Sequence, residues 1–188
     1  MTVLDAGSAP GGKSFAAAIA MEGEGQILSC DIHPHKLKLI DSGAKRLGIS
    51  CLRTILADAR EHHAAWDRAA DVVIADVPCS GLGIIRKKPD IRYKNPEELA
   101  QLPIIQREIL ENVCRYVRSG GVLVYSTCTI LPEENEQVTE AFLQAHPEFE
   151  RTAFTLPLPI GSCDGQLTLW PQRHGTDGFY ICRMRRKD

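Results

Sequence analysis

The feature that most constrains the fold is an alternation of short apolar runs with longer amphipathic stretches along the 188 residues. Short apolar runs are typical of buried strands, and apolar residues spaced by three and four are typical of helices. Strands that alternate with helices favour right-handed crossovers and a parallel sheet. The predicted strands are Val3–Ala6, Gln26–Asp31, Leu52–Leu56, Asp71–Asp76 and Gly121–Ser126. The predicted helices are Lys13–Met21, Pro34–Leu47, Asn95–Val117 with a break near Pro103, and Pro132–His146.

The C-terminal part of the chain has a different pattern. Glu150–Leu156, Gln166–Trp170 and Phe179–Arg183 are strand-like and are separated by glycine and proline turns. Antiparallel strands often extend an otherwise parallel sheet. We therefore predict one Rossmann-like α/β domain over residues 1–188, with a central, mostly parallel sheet and an antiparallel C-terminal edge hairpin. The longest irregular segment is Pro78–Asn95, and loops of that length are usually functional or mobile.

Composition excludes several classes of protein. With 44% apolar and 24% charged residues, the chain is not a disordered one. It has neither an apolar run of the ~20 residues that a membrane span needs nor a visible leader, so we expect a cytoplasmic protein and a monomer. Seven cysteines without a C-x-x-C pair favour free thiols and no metal. A net charge of −2 means that any nucleic-acid binding depends on local basic patches.

A glycine-rich turn, Asp5-Ala6-Gly7-Ser8-Ala9-Pro10-Gly11-Gly12-Lys13-Ser14, follows the first predicted strand. Its glycines let a ligand approach the backbone at the carboxyl end of that strand. The spacing from Gly7 to Ser14 also fits a phosphate-binding P-loop, but Pro10 removes a backbone N–H that phosphates would use. Asp31 ends the second strand, where an acid accepts hydrogen bonds from ribose hydroxyls. We therefore favour a ligand with an adenosine and no triphosphate over a P-loop or a simple tight turn.

Acids and cysteines follow the later strands. Asp58 follows the third strand and is either an acceptor for an adenine amino group or a helix cap. Asp76-Val77-Pro78-Cys79 and Ser126-Thr127-Cys128-Thr129 follow the fourth and fifth strands. Because the ends of neighbouring strands meet at one cleft, we expect Asp76, Cys79 and Cys128 to face the ligand. A thiolate on carbon 6 of a cytosine, an acid at nitrogen 3 and a base at carbon 5 are the groups that carbon-5 methylation from a sulfonium donor requires.

Taken in order, these motifs resemble those of the Sun (Fmu) family of RNA cytosine-5 methyltransferases. The resemblance covers essentially the whole chain and extends to Pro132-Glu133-Glu134-Asn135-Glu136 and Gly175-Thr176-Asp177-Gly178-Phe179-Tyr180. Leu82–Tyr93 and Gly165-Gln166-Leu167 are most similar to the bacterial branch that methylates 16S ribosomal RNA in the small subunit. Ser8 departs from the pattern, since the family more often has Cys or Ala there. The resemblance implies a class I fold that uses S-adenosyl-L-methionine and releases S-adenosyl-L-homocysteine.

The resemblance also implies a role for each site residue. Cys128 attacks carbon 6, Cys79 assists product release, and Asp76 hydrogen-bonds the base at nitrogen 3 with Lys13 nearby. The residues implied in cofactor binding are Asp5, Ala6, Gly7, Ser8, Ala9, Pro10, Gly11, Gly12, Lys13, Asp31, Lys36, Asp58, Ala59 and Asp76. The basic residues expected to contact RNA phosphates are Arg86, Lys87, Lys88 and Arg92.

Other interpretations stay open at this point. A domain of this fold could bind the cofactor without catalysis, or its target could be transfer RNA. A P-loop NTPase would need a magnesium site, for which Asp76 followed by Pro78-Cys79 is a poor candidate. Since family members carry an upstream RNA-contacting region, we expect this chain to be the catalytic domain of a longer protein and to methylate RNA poorly alone.

Overall fold

A computed structural model describes every residue from Met1 to Asp188. The strands are β1 (Thr2–Asp5), β2 (Gln26–Asp31), β3 (Leu52–Leu56), β4 (Ala70–Asp76), β5 (Val117–Thr127), β6 (Phe149–Arg151), β7 (Phe154–Leu156), β8 (Gly161–Cys163), β9 (Gln166–Leu169) and β10 (Phe179–Arg186). The helices are α1 (Gly12–Ala20), α2 (Pro34–Leu47), α3 (Pro96–Ala100), α4 (Leu102–Val113), α5 (Glu136–Ala145) and α6 (Pro171–His174). None of these helices is long and apolar enough to cross a membrane.

Eight strands form the main sheet, in the spatial order β3-β2-β1-β4-β5-β10-β6, with β9 also paired to β10. The pairs from β3 through β5 are all parallel. β10 runs antiparallel to β5, and its far side pairs first with β9 and then with β6. The predicted mostly parallel sheet with antiparallel C-terminal strands is confirmed. Because β1 separates β2 from β4, the strand order reverses between β1 and β4, where ligand crevices form in open α/β sheets.

The main core lies where β4 and β5 pack against α4 and α5. Val73, Leu123 and Tyr125 of the two strands are fully buried, and Leu110 and Val138 come from the two helices. Burial of one such aliphatic side chain contributes roughly 1.5–3 kcal/mol to stability. The apolar runs from which these strands are predicted therefore form the centre of the sheet. Their packing holds the strand ends in place at its carboxyl edge.

Two predicted helix boundaries are wrong. α5 begins at Glu136 rather than Pro132, because Asn135 has φ −114° and ψ −99° and its side chain bonds to Thr127 and to the Thr129 carbonyl. The helix predicted to reach Val117 ends earlier, because residues 114–116 form a single 3-10 turn before β5. The predicted break near Pro103 is confirmed, since α3 and α4 are separate helices.

Two predicted strands also differ from the structure. Glu150–Leu156 is not one strand: the Thr152 N–H donates to the Arg183 carbonyl, and the chain then leaves the main sheet. The second half, β7, pairs with β8 in a separate two-stranded sheet, and β8 was not predicted. β5 is longer than its predicted range, because a shift in its pairing with β4 accommodates Gly120, whose φ is +69°.

Candidate active site

The carboxyl ends of the parallel strands gather the predicted polar residues at one edge of the sheet. Asp5 ends β1, Asp31 ends β2 and Asp76 ends β4, while Cys128 comes directly after β5. Asp76 is paired in register with Ser126 of β5, and Asp5 is paired with Ile74 of β4. The structure therefore brings these residues together at one edge of the sheet.

Asp76 is held by two partners, one on each carboxylate oxygen. Lys13 Nζ lies 2.5 Å from Asp76 Oδ2, and Ser126 Oγ donates to Asp76 Oδ1 at 2.7 Å. Lys13 lies in the first turn of α1, and its ammonium is also 5.3 Å from the centre of the Phe179 ring. Elements from both ends of the chain therefore orient this acid–base pair, whose side chains remain partly exposed.

The two predicted cysteines lie side by side. Cys79 Sγ is 3.1 Å from Cys128 Sγ, and the Cys128 N–H donates to Cys79 Sγ at 3.2 Å. The hydrogen bond from Cys79 lowers the pKa of Cys128 to about 7, and Lys13 acts in the same direction, while burial and the Asp76 charge oppose it. The bond to Cys128, together with burial, raises the pKa of Cys79 well above the usual range of a thiol. In this arrangement the Cys79 S–H can donate to Cys128 Sγ, which favours ionisation of Cys128 over that of Cys79.

The glycine-rich turn after β1 is tightly packed. A Cβ on Gly7 would lie 2.6 Å from the Asp76 carbonyl oxygen, and Gly11 has φ +110° at the start of α1. Ser8 donates from both its N–H and its hydroxyl to the Cys30 carbonyl of β2, at 2.9 and 3.0 Å. The departure at Ser8 is therefore accommodated by two hydrogen bonds from the turn to β2.

Asp5 lies beneath that turn as a fully buried carboxyl. Its Oδ2 accepts from Ser14 Oγ at 2.6 Å, while its Oδ1 has no partner. Burial raises the pKa of Asp5 to about 6, against the lowering effect of the Ser14 hydrogen bond. Asp5 therefore keeps one acceptor oxygen that no group of the chain uses.

Asp31 and Asp58, which are also predicted to bind the cofactor, differ in how well they suit an adenosyl ligand. Asp31 Oδ1 accepts from the His33 N–H at 2.9 Å and is 4.0 Å from Lys36 Nζ, while its Oδ2 has no partner within the chain. Asp58 instead has both oxygens bonded to Arg60, at 2.7 to 3.2 Å. That pairing closes a turn and caps no α-helix. The apolar hollow next to Asp58, lined in part by Ala6, Ala57 and Ala59, has a volume of only about 10 Å³ and is too small for an adenine ring. A free acceptor at Asp31 and a glycine turn suit a ribose and a close backbone approach.

The predicted RNA-contacting residues lie on the loop that follows Cys79. Lys87 and Arg86 pair with Asp177, at 2.6 and 3.5 Å. The Arg92 guanidinium lies 4.8 Å from the centre of the exposed Tyr93 ring. Lys88 is exposed. The loop thus presents cations next to the cysteine pair, and a carboxylate from the C-terminal part of the chain already balances two of them.

Comparison with known proteins gives the family. The family model described as "16S rRNA methyltransferase RsmB/F" matches residues 1–185. The chain belongs to this RsmB/F family. Among its relatives is the "Probable ribosomal RNA small subunit methyltransferase B" of Bacillus subtilis, 45% identical over 99% of this chain and 43% of that protein. "Ribosomal RNA small subunit methyltransferase F" of an Escherichia coli O157:H7 strain is 33% identical over 98% of this chain and 40% of that protein. The chain thus spans less than half the length of these relatives.

Solved structures agree with the fold of this RsmB/F chain. "NSun6 from Pyrococcus horikoshii with SFG" is 26% identical with a TM-score of 0.80, covering all of this chain and 48% of that one. A SAM-dependent O-methyltransferase from Thermotoga maritima, 15% identical with a TM-score of 0.62, shares the fold; it covers all of this chain and 59% of that one. The predicted Rossmann-like methyltransferase fold, the family resemblance and S-adenosylmethionine as the family's cofactor are confirmed.

Sequence reasoning assigned no role to three buried residues that support the RsmB/F site. Gln106, Glu134 and Asn135 are almost completely buried and hydrogen-bonded to the loops that carry the cysteines. Glu134 and Asn135 lie in a motif that the sequence analysis noted, so polar residues between a strand and a helix were the available signal. Gln106 has no such signal, because its place on α4 is that of an ordinary polar helix residue.

Proposed function

We propose that this chain is the catalytic domain of an S-adenosylmethionine-dependent methyltransferase that acts on carbon 5 of a cytosine in small-subunit ribosomal RNA, through a covalent adduct with Cys128. The observation that carries the proposal is the cysteine pair, 3.1 Å between sulfur atoms, at the strand ends that also hold the Asp76–Lys13 pair. Membership of the RsmB/F family supports the ribosomal RNA target.

The first step forms a bond between Cys128 Sγ and carbon 6 of the base. Because the pKa of Cys128 is about 7, a large fraction of the thiol is ionised near neutral pH. As the bond forms, the carbon 5–carbon 6 double bond opens and nitrogen 3 takes up a proton. The Asp76–Lys13 pair supplies this proton and receives it back when the base is released.

S-adenosylmethionine, when bound, would supply the methyl group for carbon 5, and its sulfonium sulfur would keep the electrons of the broken bond. Asp31 and the glycine turn would hold its adenosyl part at the same strand ends. Ser126 and Lys13 keep Asp76 oriented throughout, because each occupies one of its oxygens.

Release requires a base that takes the carbon 5 proton, so that the double bond reforms and the bond from carbon 6 to Cys128 breaks. The hydrogen bond to Cys128 and the Cys128 charge are two of the three largest causes that raise the pKa of Cys79, and the third is burial. Both are lost once Cys128 is bonded to carbon. Cys79 can then give its proton to water and take the carbon 5 proton as a base.

Alanine variants of the two cysteines separate these roles. Cys128→Ala removes the nucleophile, so we expect no covalent complex with 16S ribosomal RNA. Cys79→Ala keeps the nucleophile and loses release, so a complex that survives denaturing electrophoresis accumulates. Cys51→Ala, at a half-exposed thiol outside the site, is the control and gives the wild-type result. The assay uses S-adenosylmethionine, low salt and enzyme in excess, with transfer RNA as a parallel substrate.

A covalent complex from Cys128→Ala would reverse the assignment of the two cysteines. A stable complex formed on transfer RNA and not on ribosomal RNA would replace the substrate. Cofactor binding with no complex from any variant on either RNA would instead indicate a domain that binds the cofactor without this chemistry.

A further inference from the structure

A buried side-chain pair holds both backbone groups that flank Cys79. Gln106 Nε2 donates to the Pro78 carbonyl at 2.9 Å and to Glu134 Oε2 at 2.8 Å. The same Glu134 oxygen accepts from the Ser80 N–H at 2.9 Å. The exposed fractions of Gln106 and Glu134 are 0% and 1%. One amide–carboxylate pair, which we call the 106–134 brace, therefore bonds to the residue before Cys79 and to the residue after it. Ser80 has two further bonds, from its hydroxyl to Thr129 Oγ1 at 2.7 Å and from Lys94 Nζ to its carbonyl at 2.8 Å.

The brace is also fixed to the strand that leads to Cys128. The Tyr125 hydroxyl of β5 donates to the Glu134 carbonyl at 2.6 Å. The neighbouring Asn135 accepts from Thr127 Oγ1 at 2.6 Å and donates to the Thr129 carbonyl at 3.1 Å, on either side of Cys128. Glu134 and Asn135 thus bond both to the loop that carries Cys79 and to the segment that carries Cys128.

This arrangement is not what packing alone would favour. Glu134 Oε1 and Gln106 Oε1 are buried with no hydrogen-bond partner. Buried polar atoms without partners are unfavourable, and apolar side chains of similar volume would fill the space without that cost. A polar pair at this place is explained by the geometry that it imposes on residues 78–80.

We propose that Glu134 and Gln106 are positioning residues for Cys79, whose sulfur they hold where it donates to Cys128. The consequence for the reaction rests on the proposed function, whereas the positioning itself does not depend on it. Without the brace, Cys79 loses its fixed place, and the Cys128 thiolate loses the hydrogen bond that stabilises it.

Several titratable groups face the cysteine pair. Asp76 from the end of β4 and Lys13 from α1 face Cys128, with opposite effects on its ionisation. Tyr125 from β5 and Glu134 lie next to Cys79. Since removal of Glu134 also removes a charge, the test must separate charge from position. Glu134→Gln does so, because its amide oxygen still accepts from Ser80 and Gln106 without the negative charge.

The test measures the alkylation rate of Cys128 by iodoacetamide between pH 5 and 10 on the folded chain, with each cysteine followed separately by peptide mass spectrometry. In Glu134→Ala the midpoint for Cys128 rises from about 7 toward the ordinary thiol range. A rise of 1.5 pH units means about 15-fold less thiolate at pH 7. Gln106→Ala shifts the midpoint in the same direction and less, because the Ser80–Glu134 bond remains. Glu134→Gln stays near wild type, and so does the matched control Glu133→Ala at the exposed neighbouring glutamate.

The other cysteines distinguish positioning from loosening of the fold. Cys30, Cys114, Cys163 and Cys182 are buried and stay unreactive if the variant is folded. If they become reactive together with Cys128 while its midpoint stays near 7, the brace is only structural and the proposal is overturned. An unchanged midpoint in both folded alanine variants overturns it as well. In the Cys79→Ala background, Glu134→Ala adds no further shift; an added shift would show that Glu134 acts on Cys128 by another route.

The consequence for the reaction is measured separately. Because a displaced Cys79 slows release, the alanine variants of the brace accumulate the covalent RNA complex as Cys79→Ala does. If no variant forms any complex while the Cys128 midpoint still rises in Glu134→Ala, the proposed function fails and the positioning role stands. If Cys79→Ala forms the complex and the midpoint does not shift in Glu134→Ala, the proposed function stands and the positioning role fails.

Discussion

Asp31 and Asp58 follow neighbouring strands, yet their carboxylates differ in what they can still accept. Asp31 keeps one oxygen without a partner, while Arg60 occupies both oxygens of Asp58 and holds its pKa below the usual range. A charge-assisted hydrogen bond from a ribose hydroxyl is worth roughly 1.5–3 kcal/mol. Only Asp31 offers that bond without first breaking an existing one.

We therefore predict that Asp31→Ala weakens binding of S-adenosylhomocysteine about ten- to a hundredfold. Asp58→Ala has a smaller effect, because its contact with adenine competes with Arg60. Isothermal titration calorimetry measures both affinities, with Asp41→Ala, whose carboxylate accepts from Thr54 on the surface, as the control. Equal affinity in Asp31→Ala and the wild type would remove Asp31 from the cofactor site.

At the scale of an element, the loop after Cys79 is anchored by a close contact between two glycines. The Gly178 N–H donates to the Gly83 carbonyl at 2.8 Å, and the Gly83 N–H donates to the Cys128 carbonyl at 3.0 Å. A Cβ on Gly83 would lie 2.1 Å from the Gly178 carbonyl oxygen. The backbone of this loop therefore fixes the position of the Cys128 backbone as well as its own path.

Gly83→Ala should force these backbones apart. We expect a loss of about 1–3 kcal/mol in the free energy of unfolding, the usual cost of overpacking. Covalent complex formation slows as well, because Cys128 moves with the loop. Thermal unfolding followed by circular dichroism measures the first effect. Gly12→Ala, where a Cβ meets nothing within 4 Å, is the control for stability and keeps the wild-type melting temperature. A melting temperature in Gly83→Ala equal to that of the control would contradict the contact.

The elements that sequence reasoning placed correctly are those with local signals. Buried strands and α2, with its apolar spacing and Gly48 stop, depend on neighbours in the chain. The elements that it missed depend on distant partners. The start of α5 is set by Asn135 bonding across to β5, and the break between β6 and β7 is set by Arg183 of β10. In the site, strand ends located Asp76 and both cysteines, whereas the Asp177 and Gln106 contacts join residues far apart in sequence.

On the scale of the whole molecule, we expect charge to limit how well this chain holds RNA. The net charge is −2, and Asp177 already balances Arg86 and Lys87 beside the cysteine pair. Such a small set of phosphate contacts gives weak, strongly salt-dependent binding, on the order of 10⁻⁴–10⁻⁶ M by analogy with non-specific complexes on DNA. The residues proposed to bind the cofactor lie within the chain and are distinct from those cations.

We predict that this segment binds S-adenosylmethionine but methylates ribosomal RNA far more slowly than a protein of its relatives' length. The longer Bacillus subtilis relative and its own segment matching this chain provide the comparison. Cofactor affinity, measured by calorimetry, should be the same for both, while the rate of methyl transfer differs and falls steeply with salt for the segment. Equal rates would show that the RNA-binding surface lies within the segment.

The position of β10 bears on how such a molecule is made. β5, which leads to Cys128, ends at Thr127, and its antiparallel neighbour begins only at Phe179. During synthesis by the ribosome, β5 therefore emerges with one edge unpaired. That edge is paired only after the chain has been made as far as Arg186. Lys13 meets its aromatic neighbour Phe179 only then. A nascent chain consequently completes its sheet and the surroundings of the Lys13–Asp76 pair at nearly the same moment. Until then the unpaired edge of β5 is exposed and can promote aggregation.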